Sequence, residues 1–400
     1  MLMDVDVLII GAGVIGLSTA KALLEINPSI KLAIVDKELS VGEHASGRNS
    51  GVLHSGFYYS PDSLKAKFCF DGNLALRNLC REHGIAVNAL GKVVVAKSAQ
   101  EVCQLESLFA RGKENGVDLK LLPESELSNF EPMARTHKSF IWSPNTAISD
   151  PRKVLLALSS RVKNMNGRII LNASIKFGAD SKLITLGGEP VFARHVVNTA
   201  GSGADRIAHL FGFGLNLSMI PFMGVYRAVP HSYLPLSTLV YPVPDPVNPF
   251  LGVHLTSTID GKVKIGPTAI PLLNREQYRM FAGWSQQDMK ESLTGLLSML
   301  RGDAHNLPGL AKSEFPKLFL RRILSDAAEL VPATKSVKGW EKLQPGIRSQ
   351  LVDLTTGSLV SDFIVEGDEF STHVLNAVSP GWTASIPFGK YVAKEVLNKI

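Results

Sequence analysis

Gly11, Gly13 and Gly16 stand at G-x-G-x-x-G spacing, and Asp36 follows twenty residues after the last of them. These residue types suit a dinucleotide. The first glycine permits a tight turn, the second lets a pyrophosphate approach the backbone, and the third lets a helix pack close to a strand. The carboxylate of Asp36 can accept hydrogen bonds from ribose hydroxyls. A polar loop follows with Ser46, Gly47, Arg48, Asn49, Ser50 and Gly51. Its backbone N–H groups and guanidinium suit a bulky anion. A nicotinamide domain would proceed here to another simple βαβ unit, so the loop points to FAD rather than NAD.

The elements that must hold these residues follow from the pattern. Val5 to Ile10 is an apolar run broken only by Asp6, as in a parallel strand buried on both faces. A helix from about Val14 to Ile26, stopped by Asn27 and Pro28, aims its positive N-terminus at the phosphates. "KLAIVDKE" reads as a second strand carrying Asp36. "GRIILNASI" and "HVVNTAGSGAD" read as further strands, the latter turning at Ala200, Gly201 and Gly203 into a short helix. "HVLNAVSPG" repeats strand and turn near the end, and a helix starting around Gly381 and Thr383 follows. The expected fold is α/β with α+β. A discontinuous Rossmann-like FAD-binding domain (1–85, 146–218 and 335–400) carries an antiparallel-sheet substrate domain with helices (86–145 and 219–334). In the latter, β-branched and proline-rich segments predict an antiparallel sheet over 219–270, and 271–330 reads as helices. Met289, Leu293, Leu296, Leu297 and Leu300 recur at helical spacing, with Lys312, Lys317, Arg321 and Arg322 nearby. Such a stripe packs on the sheet, caps a site or rests on a membrane surface.

Composition narrows the class. The 400 residues are 45% hydrophobic and 20% charged, with net charge +6. That is enough core for two domains. No Lys/Arg block resembles a nucleic-acid arm. No apolar run reaches the ~18 residues of a membrane span, and the first strand leaves no room for a leader. A cytoplasmic protein, at most peripheral on the inner membrane, is expected. Cys69, Cys80 and Cys103 lack C-x-x-C pairing, so all three are read as buried thiols. Neither a disulfide framework nor a metal site is expected.

The stretch "HASGRNSGVLHSGFYYSPDSLKAKFC" resembles the L-2-hydroxyglutarate oxidase and dehydrogenase branch of the D-amino-acid-oxidase-like FAD enzymes. "VNTAGSGAD", "FLGVHLTSTIDGKVKIGPTAI", "PGIRSQLVD" and "VLNAVSPGWTASIPFGKYVAKEV" extend the resemblance over most of the chain. Asp36, Val225 and Trp382 depart from it. They stand where the branch carries Glu, Glu and a smaller residue.

The resemblance implies FAD as cofactor, a small anionic 2-hydroxy acid as substrate, and O₂ or a quinone as acceptor. The final helix would direct its N-terminus at the flavin ring. Oxidation removes a hydride from Cα and a proton from the hydroxyl. It needs a base and a cation for the carboxylate. His54 is the leading base candidate; its alternative role is to hydrogen-bond or link to the cofactor. His254 is the second. Arg348 is the expected carboxylate clamp, and Tyr226 a hydroxyl donor. Arg48, Lys67 and Arg227 are all open as the second cation of a dicarboxylate site. The competing readings are an FAD amine oxidase of glycine, sarcosine or D-amino-acid type, and a flavin-binding electron-transfer subunit.

Overall fold

The computed structural model describes residues 3–178, 184–245, 250–278, 284–302 and 307–400. The proline-rich residues 246–249, and parts of the predicted helical stretch at 279–283 and 303–306, lie outside the described residues.

The strand Met3–Ile10 runs parallel to Leu32–Val35 on one side and to Glu189–Asn198 on the other. Its second half, Val7 to Ile10, is covered on both faces, which is why apolar and polar residues stop alternating there after Asp4 and Asp6. Arg168–Ile170 extends the sheet beyond Leu32–Val35, and Ser371–Leu375 pairs in parallel with the end of Glu189–Asn198. The helix Val14–Ile26 packs one face of this sheet, and the last helix, Gly381–Leu397, lies on it. Valines, leucines and phenylalanines from both helices and the strand form one core, including Val7, Ile9, Leu17, Leu23 and Phe388. The helix Leu64–Glu82 also rests on the last helix. A side chain at Gly72 would place Cβ only 2.1 Å from the carbonyl of Thr383, so glycine is required by that approach.

A second eight-stranded sheet has the order Glu341–Lys342, Arg227–Pro230, Lys262–Gly266, His254–Ser257, Leu239–Pro242, Lys92–Val95, Ser139–Ser143 and Lys120–Pro123. It is antiparallel except where Leu239–Pro242 runs parallel to Lys92–Val95. A long antiparallel pair, Leu217–Gly224 with Gly346–Asp353, passes beside it and carries Arg348 opposite Phe222.

Two expectations need correction. The helix Gln286–Gly302 packs on Leu217–Gly224 through Ser292, Gly295, Met299 and the half-buried Leu296, but not through Leu293, Leu297 and Leu300. Its small residues permit the approach: a Cβ on Gly295 would come within 2.8 Å of the Ile220 side chain. Leu293, Leu297 and Leu300 face outward, 44%, 51% and 48% exposed. Cys69 and Cys80 are buried, but Cys103 is exposed on the helix Ala99–Glu114. Among the described residues, no helix is long and apolar enough to cross a membrane.

Candidate active site

The glycine turn fits its chemistry closely. Gly11 has φ +104°, and a Cβ there would meet the carbonyl oxygen of Thr199 at 2.5 Å. A Cβ at Gly16 would sit 2.0 Å from the carbonyl oxygen of Gly11. The helix can therefore begin directly above the strand, its first N–H groups pointing out of the turn. Asp36 accepts hydrogen bonds from the N–H of Ala12 (2.7 Å) and of Glu38 (2.9 Å), which fixes the carboxylate beside the turn. Ser46 reaches back to Gly13 and accepts from the N–H of Val14 at 3.0 Å.

The loop after Asp36 is held by its own polar groups. Asn49 donates to the carbonyl of Ser46 (2.7 Å) and accepts from the N–H of Gly51 (2.8 Å). Arg48 donates to the carbonyl of Glu43 (2.7 Å) and to Gln344, and its guanidinium lies 4.2 Å from the centre of the Tyr278 ring. From this turn a single cavity runs inward. Its wall includes Ser46, Arg48, Asn49, Ser50, Gly201 and Gly381 at the nucleotide end, then His54, Tyr226, His254 and Arg348. The four candidate reaction residues come from separate elements, so only the fold brings them together.

His54 follows the short strand Val52–Leu53, and its backbone N–H donates to Oγ1 of Thr383 at 3.1 Å. Its Nδ1 is buried without a partner. Burial, with Lys92 and His254 acting in the same sense, pushes its pKa down to about 3. The ring is neutral.

His254 opens the strand His254–Ser257. Its Nδ1 lies 2.9 Å from the carbonyl of Gly252, which assigns the proton to Nδ1 and leaves Nε2 basic. Burial outweighs that hydrogen bond and lowers its pKa to about 4. Its ring stacks on Tyr241.

Arg348 is half-buried, its Nε is buried without a partner, and its guanidinium lies 5.1 Å from the Phe250 ring. Burial lowers its pKa, opposed by Tyr59. A guanidinium whose buried donor lacks an acceptor is a ready site for a carboxylate. The Tyr226 hydroxyl is held protonated by burial and then by Tyr241.

Several sequence candidates stand behind the wall rather than in it. Gly51 (φ +75°) packs against the carbonyl of Ser149, leaving no room for a Cβ. Thr383 is fully buried, donating to the carbonyl of Val52 while accepting from His54. Ala200 closes the turn beneath Gly201, donating its N–H to Asn198. Of the three open second cations, Arg48 lines the cavity, whereas Lys67 is exposed and Arg227 is not part of the wall. Tyr241, Thr199, Ser202, Ser379 and Trp382 also line it, and Trp382 Nε1 is another buried donor without a partner. Their positions come from packing, and no spacing in the chain signals them.

Glu38, His44 and Glu276 also meet, though nothing in their spacing indicates it. The Lys37 ammonium sits among them, 3.0 Å from Glu38 and 2.6 Å from Glu276, and supplies the positive charge locally.

Glycine cradle, polar loop and inner cavity together fit a dinucleotide with a reactive end, and comparison with known proteins agrees. Residues 6–395 match the family described as DAO, FAD dependent oxidoreductase. The L-2-hydroxyglutarate dehydrogenase of Escherichia coli (strain K12) is 34% identical over 399 residues, covering 98% of this chain and 93% of that protein. The mitochondrial L-2-hydroxyglutarate dehydrogenase of Homo sapiens is 32% identical over 418 residues, covering 98% and 89%. Among solved structures, dithionite-reduced L-alpha-glycerophosphate oxidase from Mycoplasma pneumoniae with FAD bound superposes with a TM-score of 0.75 at 23% identity, covering 99% and 95%. Glycine oxidase from Geobacillus kaustophilus gives 0.73 at 18%, covering 100% and 96%. The chain is an FAD-dependent oxidoreductase and belongs to the DAO family.

Proposed function

We propose that the enzyme oxidises L-2-hydroxyglutarate to the 2-oxo acid and passes the electrons to O₂ or a quinone. The observation that carries this reading is the Arg348 guanidinium, its Nε buried and unpartnered, sharing one cavity with two neutral histidines at the inner end of the nucleotide cradle. Relatives at 34% and 32% identity carry the hydroxyglutarate name, while the glycine oxidase neighbour is only 18% identical. The hydroxy acid is therefore favoured over an amine.

Gly11, Gly13 and Gly16 would admit the FAD pyrophosphate, with Asp36 at the ribose. Ser46, Arg48, Asn49, Ser50 and Gly201 would line the path, and Gly381 would face the flavin from the last helix. When bound, FAD supplies the hydride acceptor at N5. Arg348 binds the substrate carboxylate bidentately and fixes Cα. His54 takes the hydroxyl proton as the hydride leaves Cα. Its low pKa belongs to the site without an anion: a carboxylate beside it favours the imidazolium and raises it. Tyr226, protonated, donates to the substrate.

The exposed Leu293, Leu297 and Leu300, with Trp284, Phe315 and Phe319, support a peripheral seat on a membrane surface near a quinone. A panel assay tests the substrate. Holoprotein with L-2-hydroxyglutarate is expected to form 2-oxoglutarate, while glycine and sarcosine are left unchanged. Turnover of the amines alone would replace this reading.

A further inference from the structure

Lys92 begins the strand Lys92–Val95, between Leu239–Pro242 and Ser139–Ser143, and is fully buried. Its Nζ has no hydrogen-bond partner among the described residues. A lone ammonium in such a place is unfavourable unless something faces it. Here three rings do: Phe57 at 4.5 Å, Tyr58 at 4.4 Å and Tyr241 at 4.7 Å from ring centre to Nζ, all within cation–π range.

The cage joins the two halves of the candidate site. Phe57 and Tyr58 follow His54 by three and four residues, and their rings stack on each other at 4.3 Å. Tyr241 stacks on His254 at 4.0 Å. One side chain thus touches both segments that carry a histidine. The reaction scheme above does not use it.

We propose that Lys92 is a positioning residue: it clamps the His54 and His254 segments together and takes the proton that would otherwise charge one of the rings. This rests on the reading that a histidine accepts the substrate hydroxyl proton. The titratable groups facing Lys92 are Tyr58 on the His54 segment, Cys69 on the helix Leu64–Glu82, Tyr241 on the neighbouring strand Leu239–Pro242, and the two histidines. The Cys69 thiol, pushed up to about 12 by burial, stays protonated and gives Lys92 no counter-charge near neutrality. Burial pulls Lys92 down to about 7, still above both histidines. As pH falls, the first proton of this cluster therefore goes to the amine. The resulting charge opposes protonation of both rings and keeps a base available on the acid side.

Nitrogen NMR of holoprotein labelled at lysine and histidine tests this without turnover. Lys92 Nζ is expected to titrate near neutrality, against its ordinary 10.5. Lys92→Met, which keeps an unbranched apolar chain in the cage, should raise the titration of His54 and His254 by about one pH unit. The acid limb of anaerobic flavin reduction should move upward with them. Lys92→Arg, with a permanent charge, should keep both histidines low. Titration of Lys92 near 10.5, unmoved histidines in Lys92→Met, or raised histidines in Lys92→Arg would overturn the proposal. If Lys92→Met does not fold, the wild-type lysine titration and Lys92→Arg decide. A failure here leaves 2-oxoglutarate formation untouched, and the wrong substrate leaves these titrations unchanged.

Discussion

The ring of Tyr241 lies 4.0 Å from the ring of His254, the two planes inclined by only 27°. The stack holds the imidazole from one face while the Gly252 carbonyl holds Nδ1. Orientation and tautomer are therefore both set before any substrate arrives. Tyr241→Leu keeps an apolar filler but removes the flat surface. Flavin reduction by L-2-hydroxyglutarate is expected to slow by about 5-fold, in line with the ~1 kcal/mol of an aromatic pair. Stopped-flow absorbance checks it, and Tyr241→Phe should reduce flavin at close to the normal rate.

Arg348 carries the substrate carboxylate in this account. Arg348→Met should lower kcat/KM by about 10²–10³-fold, the scale of a lost buried charge pair. Arg348→Lys should recover little, because an ammonium cannot present two parallel donors. Steady-state kinetics on both variants, with flavin content measured alongside, gives the answer.

The cradle makes a prediction about cofactor retention. A methyl group at Gly16 would collide with the Gly11 carbonyl and with Oγ1 of Thr199, 2.7 Å away. Gly16→Ala is expected to emerge from purification without most of its flavin. Full flavin occupancy in that variant would show that the turn tolerates what its geometry forbids.

Buried neutral histidines tie stability to pH. His54 titrates at about 3 and His254 at about 4 when folded, against 6.5 in an open chain. Their pKa values are lowered on folding, so below 6.5 the unfolded chain binds protons that the native protein refuses. Stability is complete above 6.5 and falls as pH drops toward the folded values, by about 1.4 kcal/mol per pH unit for each histidine. Urea unfolding of His254→Gln between pH 7 and 5 should show a shallower decline than the parent. Equal slopes would mean that His254 is not proton-linked to folding.

What the chain reveals by itself follows from the range of each interaction. The glycine turn, the helix Val14–Ile26 and Asp36 are legible because turn, dipole and ribose acceptor lie within one stretch. His54, His254 and Arg348 are legible as residue types, but their shared cavity depends on pairing across distant strands. Tyr241 and Lys92 give no local signal at all: their meaning lies in what packs around them. The leucine stripe of Gln286–Gly302 shows the limit of periodicity. Spacing puts Leu293, Leu297 and Leu300 on one face, yet the tighter fit of Ser292 and Gly295 on the strand turns that face outward and leaves Leu296 on the packed side.

The central claim is that a carboxylate-bearing 2-hydroxy acid meets a flavin beside Arg348 and His54. Anaerobic titration of the holoprotein with each enantiomer of 2-hydroxyglutarate tests it most directly. The account predicts that the L-enantiomer bleaches the oxidised flavin absorbance to completion, that the D-enantiomer does not, and that Arg348→Met largely loses the response. Persistent yellow colour with saturating L-2-hydroxyglutarate would contradict it.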